Sequence, residues 1–101
     1  MTLPVFLHIE ATLNPDETAA LEAYSSKVPA VAKAHGAVPI ATYDVEAALD
    51  QQPAPDVFVV VSFTTRGAIQ AFFDDPAYQA LIPVRDKAFA EVRFYVTSER
   101  V

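Results

Sequence analysis

His8 and Glu10 lie two residues apart in a stretch where Val5, Leu7, Ile9 and Ala11 alternate with Phe6, His8, Glu10 and Thr12. Alternation with period two marks a strand, so the imidazole and the carboxylate share one face, about 7 Å apart along the chain. In a partly dry cleft, a histidine beside a carboxylate can serve as a general base with a raised pKa. The competing arrangement is structural: Glu10 pairs with Arg93, and His8 fills space with one hydrogen bond.

Arg85 is the third catalytic candidate. It follows Tyr78 by seven residues, two helical turns, which places both on one face if the helix continues past Pro83. There Arg85 could grip a carboxylate with two parallel hydrogen bonds. Structurally, Tyr78 would pack on a sheet while Arg85 pairs with Asp86 or Glu91. Tyr43 and Tyr95 are expected to line the same cavity, or to take one hydrogen-bond partner each and stay structural. Ser62 has no G-x-S-x-G elbow around it and is no nucleophile. His35 sits at a helix end, where a cation is favoured. The predicted pocket set is thus Phe6, His8, Glu10, Tyr43, Phe58, Ser62, Tyr78, Arg85, Arg93 and Tyr95.

Two histidines on different elements, with no cysteine, do not make a metal site. Gly36 and Gly67 are the only glycines, so no loop can cradle a phosphate, and no cofactor is expected.

These residues need elements to hold them. Asn14-Pro15-Asp16-Glu17 reads as the start of a helix, with Asn14 as cap. Leu21, Tyr24, Val28 and Val31 form its apolar stripe, Pro29 predicts a kink or restart, and Gly36 a stop. Residues 37–45 read as a second strand, which Pro39 assigns to a sheet edge. Residues 46–56 form a Pro-rich connector with room for one helical turn. Asp56 to Thr64 is nearly all apolar and β-branched, as a central strand should be. Thr65 caps a second helix that buries Ile69, Phe72 and Phe73, and Asp75-Pro76 starts a short one that Pro83 ends or bends. Residues 89–97 are the last strand.

That order is β-α-β-β-α-β. With right-handed crossovers, both helices fall on one face of a four-stranded antiparallel sheet, with strands one and three in the centre. The fold class is therefore α+β, ferredoxin-like, in a single domain over 1–101. The uniformly apolar sets Val5/Leu7/Ile9, Val59/Val61/Phe63 and Val92/Phe94/Val96 belong to the helix side. Phe6, His8, Glu10, Phe58, Val60, Ser62, Arg93 and Tyr95 then occupy a face that no helix covers. A second copy packed on that face would bury it.

The 101 residues carry a formal net charge of −6 with scattered basic residues, which disfavours nucleic acid and anionic membranes. His8 and Glu10 interrupt the N-terminal apolar run, so no signal peptide is expected. No apolar stretch approaches the roughly 20 residues of a membrane helix. Together with the absence of cysteine, these features suggest a cytoplasmic protein.

The segment Phe63-Thr64-Thr65, then Ala68-Ile69-Gln70-Ala71-Phe72-Phe73-Asp74-Asp75-Pro76-Ala77-Tyr78-Gln79-Ala80-Leu81, then Arg85 resembles the dimeric α/β-barrel superfamily. It is most similar to a bacterial branch known only as a domain of unknown function, with a D-P-x-Y-x-x-L motif followed by an Arg. The resemblance implies the ferredoxin-like fold and a homodimer through the sheet face. The superfamily includes antibiotic-biosynthesis and haem-degrading monooxygenases and muconolactone isomerases. Membership by itself implies hardly any chemistry; the polar set His8, Glu10, Arg93 and Tyr95 in an otherwise apolar cleft points instead to a cofactor-independent monooxygenase-like or isomerase-like activity on a small hydrophobic or carboxylate-bearing molecule, or else to a non-catalytic dimeric binding or structural module. His35-Gly36-Ala37 replaces the branch's usual Gly-Gly pair. The chain also lacks the Trp on which haem-degrading members rely.

Overall fold

The computed structural model describes residues 3–100. β1 (Val5–Leu13) leads into α1 (Thr18–Ala34), β2 (Val38–Asp44) and β3 (Val57–Phe63). Three short helices follow, α2 (Arg66–Asp74), α3 (Pro76–Gln79) and α4 (Ile82–Ala88), before β4 (Phe89–Ser98). The strands form one antiparallel sheet in the order β2-β3-β1-β4. The predicted ferredoxin-like fold is therefore the observed one, with β1 and β3 central and the Pro39 strand at an edge. None of the helices among the described residues is long and apolar enough to cross a membrane.

Register fixes the faces. Leu7 stands opposite Val61 on β3 and Val96 on β4, and Ile9 opposite Val59 and Phe94. These apolar rows meet the helices, and the core forms there from Leu7, Tyr24, Phe63, Ile69, Phe72, Tyr78 and Leu81. Aromatic rings bind the layers: Phe72 lies 4.7 Å from Tyr78, and Phe73 lies 5.1 Å from Phe94, centroid to centroid. Such pairs add to the stabilisation that area burial already provides.

Local chemistry explains the boundaries, and in four places it differs from expectation. Asn14 does not cap α1. Its side chain instead accepts the Asp16 amide, and its carbonyl accepts that of Glu17, so the Asn14–Glu17 segment is a turn. The Asx turn spends the Asn14 side chain ahead of the helix, and α1 starts with Glu17 at its N-cap position and no side-chain cap. Pro29 causes no restart, and α1 runs unbroken from Thr18 to Ala34. Pro83 does not end a helix but sits in the first turn of α4, where its missing N–H costs nothing. The connector, residues 45–56, contains no helical turn.

Other signals act as read. Thr65 accepts the Ala68 amide and Asp75 that of Ala77, which caps α2 and α3. Gly36 has φ +83°, with Gly36 N–H bonded to Lys33 O and Ala37 N–H to Ala32 O. This is the Schellman ending that a left-handed residue permits.

Candidate functional site

β1, β3 and β4 bring Phe6, His8, Glu10, Phe58, Ser62, Arg93 and Tyr95 to the face opposite the helices. His8 stands between Val60 on β3 and Tyr95 on β4; Glu10 stands between Phe58 and Arg93. Tyr43 of β2 pairs with Phe58 and joins the same face. Among the described residues no helix covers it: Val38, Tyr43 and Phe58 remain 56%, 57% and 36% exposed. The molecule is a slab, 16 Å in its thinnest direction, the depth of one sheet plus one helix layer. Its accessible surface is 6930 Å². A compact monomer of this mass would expose roughly 5,600 Å². The excess is on the scale of the about 800 Å² that each partner buries in a standard protein interface.

The polar groups on this face are largely unspent. His8 contacts the Phe6 ring edge-on at 6.4 Å and makes no hydrogen bond among the described residues. Glu10 and Arg93 are cross-strand neighbours but do not close the expected ion pair. The Arg93 guanidinium leans over the Tyr95 ring instead, 5.1 Å from its centroid.

At the connector end the face deepens into a hollow of about 170 Å³, lined by Glu10, Thr12, Glu91, Arg93 and the arm Pro53-Ala54-Pro55. Asp56 sets that arm. Its amide donates to Ala11 O and its carboxylate accepts the Leu13 amide, both at 2.8 Å. Its carbonyl accepts the Val45 amide at 2.9 Å and so ties the two ends of the connector together. A second hollow of about 180 Å³, lined by Pro4, Gly36, Val38, Ser62, Phe63 and Thr64, is poorer in polar groups.

Tyr78 and Arg85 lie elsewhere. They were expected in the same cleft as His8 and Glu10, but the sheet separates them. Arg85, on α4, donates to the Tyr78 hydroxyl at 3.1 Å, and that hydroxyl shares a 3.0 Å hydrogen bond with Tyr24 on α1. Pro83 does not prevent this contact, because α4 begins around it. Arg85 also reaches Asp86 at 3.3 Å and lies 5.7 Å from the Phe94 ring centroid. Burial, then the bond to Tyr78, pushes the Tyr24 phenol far above its usual range, so it stays neutral. Burial opposes the charge on Arg85, but Tyr78 and Asp86 outweigh it and its pKa rises. Tyr24–Tyr78–Arg85 is thus a satisfied polar chain in an apolar core, where geometry gives each member a structural task.

His35 is more than a helix-end residue. Its Nε2 meets the Asp75 carboxylate at 2.8 Å, which links the end of α1 to the α2–α3 corner. That bond, then the Ala77 amide, holds the Asp75 carboxyl below its usual range.

Sequence reasoning missed Tyr24 as a polar partner, because a tyrosine at an apolar stripe position looks like core. It also missed Asp56, Thr12, Glu91 and the proline arm. Each had left a trace, Thr12 in the alternation of β1, Glu91 as a candidate partner of Arg85, the prolines in the connector and Asp56 as the polar residue just before an apolar strand, but nothing in the sequence joined them. No group of three or more potential metal ligands occurs among the described residues.

Comparison with known proteins agrees with the architecture. A protein of unknown function from Rhodopseudomonas palustris superposes with a TM-score of 0.84 at 18% identity, covering 100% of this chain and 85% of that one. A dimeric ferredoxin-like protein of unknown function from Thermobifida fusca matches at TM-score 0.64 and 15% identity, over 98% and 93% of the two chains. A putative antibiotic biosynthesis monooxygenase from Nitrosomonas europaea matches at 0.66 and 13%, over 94% and 97%. At these identities the likeness establishes the fold alone. No curated protein sequence matches the chain. Residues 8–98 match the model of a domain of unknown function, DUF1330.

Proposed function

The chain belongs to the DUF1330 family, and from that premise we propose that it works as a homodimer whose facing sheets enclose a cleft for a small organic molecule. The observation that carries this is the uncovered face, apolar at Phe6, Phe58, Val60 and Tyr95 yet holding unspent His8, Glu10 and Arg93. Apolar walls with a few convergent polar groups are what small-molecule sites are built from. Burying charges without partners is costly, so a covered face of this composition calls for a ligand or for pairing across the dimer. The dimeric ferredoxin-like neighbour from Thermobifida fusca supports the assembly.

A binding role fits the geometry better than a catalytic one, because among the described residues no hydrogen bond orients His8 as a base, its ring meeting only that of Phe6. A catalytic second reading, monooxygenase-like or isomerase-like without a cofactor, is favoured by His8 facing the cleft beside Tyr95 and Glu10. Arg85, on the other side of the sheet, takes no part in either.

Sedimentation equilibrium is expected to give a dimer. A thermal-shift screen of small organic acids, amines and aromatics should then yield compounds whose stabilisation is lost in Arg93→Ala. A monomer at high concentration, or ligands indifferent to every substitution on this face, would refute the proposal. Turnover of a bound compound that disappears in His8→Ala would decide for the catalytic form.

A further inference from the structure

Resting on the dimer proposed above, we infer that the second copy seats on the β2–β3 half of the uncovered face and leaves the β1–β4 half as the open mouth of the cleft. Register divides the face into two halves of different chemistry. On the β2–β3 side, Val38 stands opposite Ser62, Ala41 opposite Val60 and Tyr43 opposite Phe58, and none of the six carries a charge. On the β1–β4 side, His8 stands opposite Tyr95, Glu10 opposite Arg93 and Thr12 opposite Glu91. The charged groups Glu10, Glu91 and Arg93 thus share the second half with His8.

Charge chooses between the halves. The centre of a protein interface is apolar and depleted of charge, and its rim is polar. Val38, Tyr43 and Phe58 are large apolar side chains of this face left open to water, and Ile40, at the β2 bulge, is exposed beside them. A partner seated on the other half would bury Glu10, Glu91 and Arg93, which costs free energy unless each finds a partner. A twofold axis doubles both signs alike, so carboxylates would still outnumber guanidinium groups two to one, whatever the docking angle. Seated on the β2–β3 half, the partner leaves these groups in water.

Shape makes the same choice. The Pro53–Pro55 arm stands beside Glu10, Thr12, Glu91 and Arg93 and walls that end of the β1–β4 half, pinned there by the Asp56 bonds. A second sheet laid flat on that half would meet the arm first. The β2 edge, in turn, is a poor ladder partner. Pro39 has no N–H to donate, and the register shifts between Pro39 and Ala41. The partner therefore comes onto the face through side chains, not along the edge through backbone hydrogen bonds. Tyr43 and Phe58 of each copy then meet the same apolar half of the other, with aromatic anchors at the centre of the contact.

The test is sedimentation equilibrium of the full chain with matched substitutions at opposite edges of the sheet. Val38 and Thr97 share one row of the uncovered face, and Tyr43 and Arg93 share another. At high salt, which screens long-range repulsion, Val38→Asp and Tyr43→Asp should each raise the dimer dissociation constant about tenfold or more. Thr97→Asp and Arg93→Asp should leave it within about threefold. The chain has no cysteine, so Tyr43→Cys and Arg93→Cys give a second readout that introduces no charge. Thiol labelling of Tyr43→Cys should slow as protein concentration rises through the dimer range, while Arg93→Cys should label at one rate throughout. Equal effects at the two edges, or protection of Arg93→Cys in place of Tyr43→Cys, overturn this placement and leave the dimer standing. A wild-type chain that stays monomeric sinks both. A dimer with the expected pattern that binds no small molecule supports the placement and sinks only the binding role.

Discussion

Substitution of Tyr78 by Phe removes one oxygen from the core and breaks two hydrogen bonds, those from Arg85 at 3.1 Å and with Tyr24 at 3.0 Å. Ring packing against Phe72 and Phe73 is kept, so the loss is polar. Tyr24 is 8% exposed, and its hydroxyl is left buried without a partner, a cost of about 1–3 kcal/mol. Arg85 loses a charged bond, but its side chain is 19% exposed, and water replaces part of it. The sum is about 2–3 kcal/mol, or roughly 10–20 °C in Tm for a domain of this size. Tyr24→Phe should cost only about 1 kcal/mol, because Tyr78 keeps Arg85 as a partner. The double variant should be no less stable than Tyr78→Phe alone, since the orphaned hydroxyl is then gone. Urea unfolding of all four proteins at one protomer concentration gives the coupling directly. Equal costs for the two single substitutions, or additive costs in the double, would refute the hydrogen-bonded chain as the source of stability.

Other outcomes follow from the same geometry. Phe58→Asp, on the uncovered face, should shift sedimentation from dimer to monomer, whereas Leu49→Asp, in the connector and 96% exposed, should leave it unchanged. The Cβ added by Gly36→Ala makes an ordinary van der Waals contact, 3.9 Å from Thr64 Oγ1. Only the φ of +83° is penalised, by about 1–2 kcal/mol in urea unfolding. Asp75→Asn keeps the cap on Ala77 but weakens the His35 bond. Because the Asp75 pKa is lowered in the fold, its contribution is complete above the ordinary value of 3.8 and fades as pH falls through the lowered one. The stability gap between wild type and variant should therefore be open near neutral pH and close in acid, as read by unfolding across that range.

Much of the architecture was legible along the chain, because a strand or a cap is written in neighbours. Alternation in β1 and β4, the apolar run of β3, the Thr65 and Asp75 caps, the Gly36 stop and the Pro39 edge each rest on residues within a turn of one another. Element order and crossover handedness then sufficed for the sheet order. Where local rules compete, they misled: Asn14 can cap a helix or close a turn, and Pro83 can end a helix or begin one.

The split of the candidate residues lay beyond the sequence. Period two alone sends His8, Glu10, Arg93 and Tyr95 to one face, since β-strand side chains alternate whatever the partner strand. That Tyr78 and Arg85 face the other way, joined to Tyr24 across 54 positions of chain, depends on how α1 and α4 pack together. So does the hollow at Glu10 and Arg93, whose wall is a connector anchored 43 positions away by Asp56 to Leu13. Contacts at such separations are settled by the packing free energy of the whole fold, and no short stretch of sequence carries them.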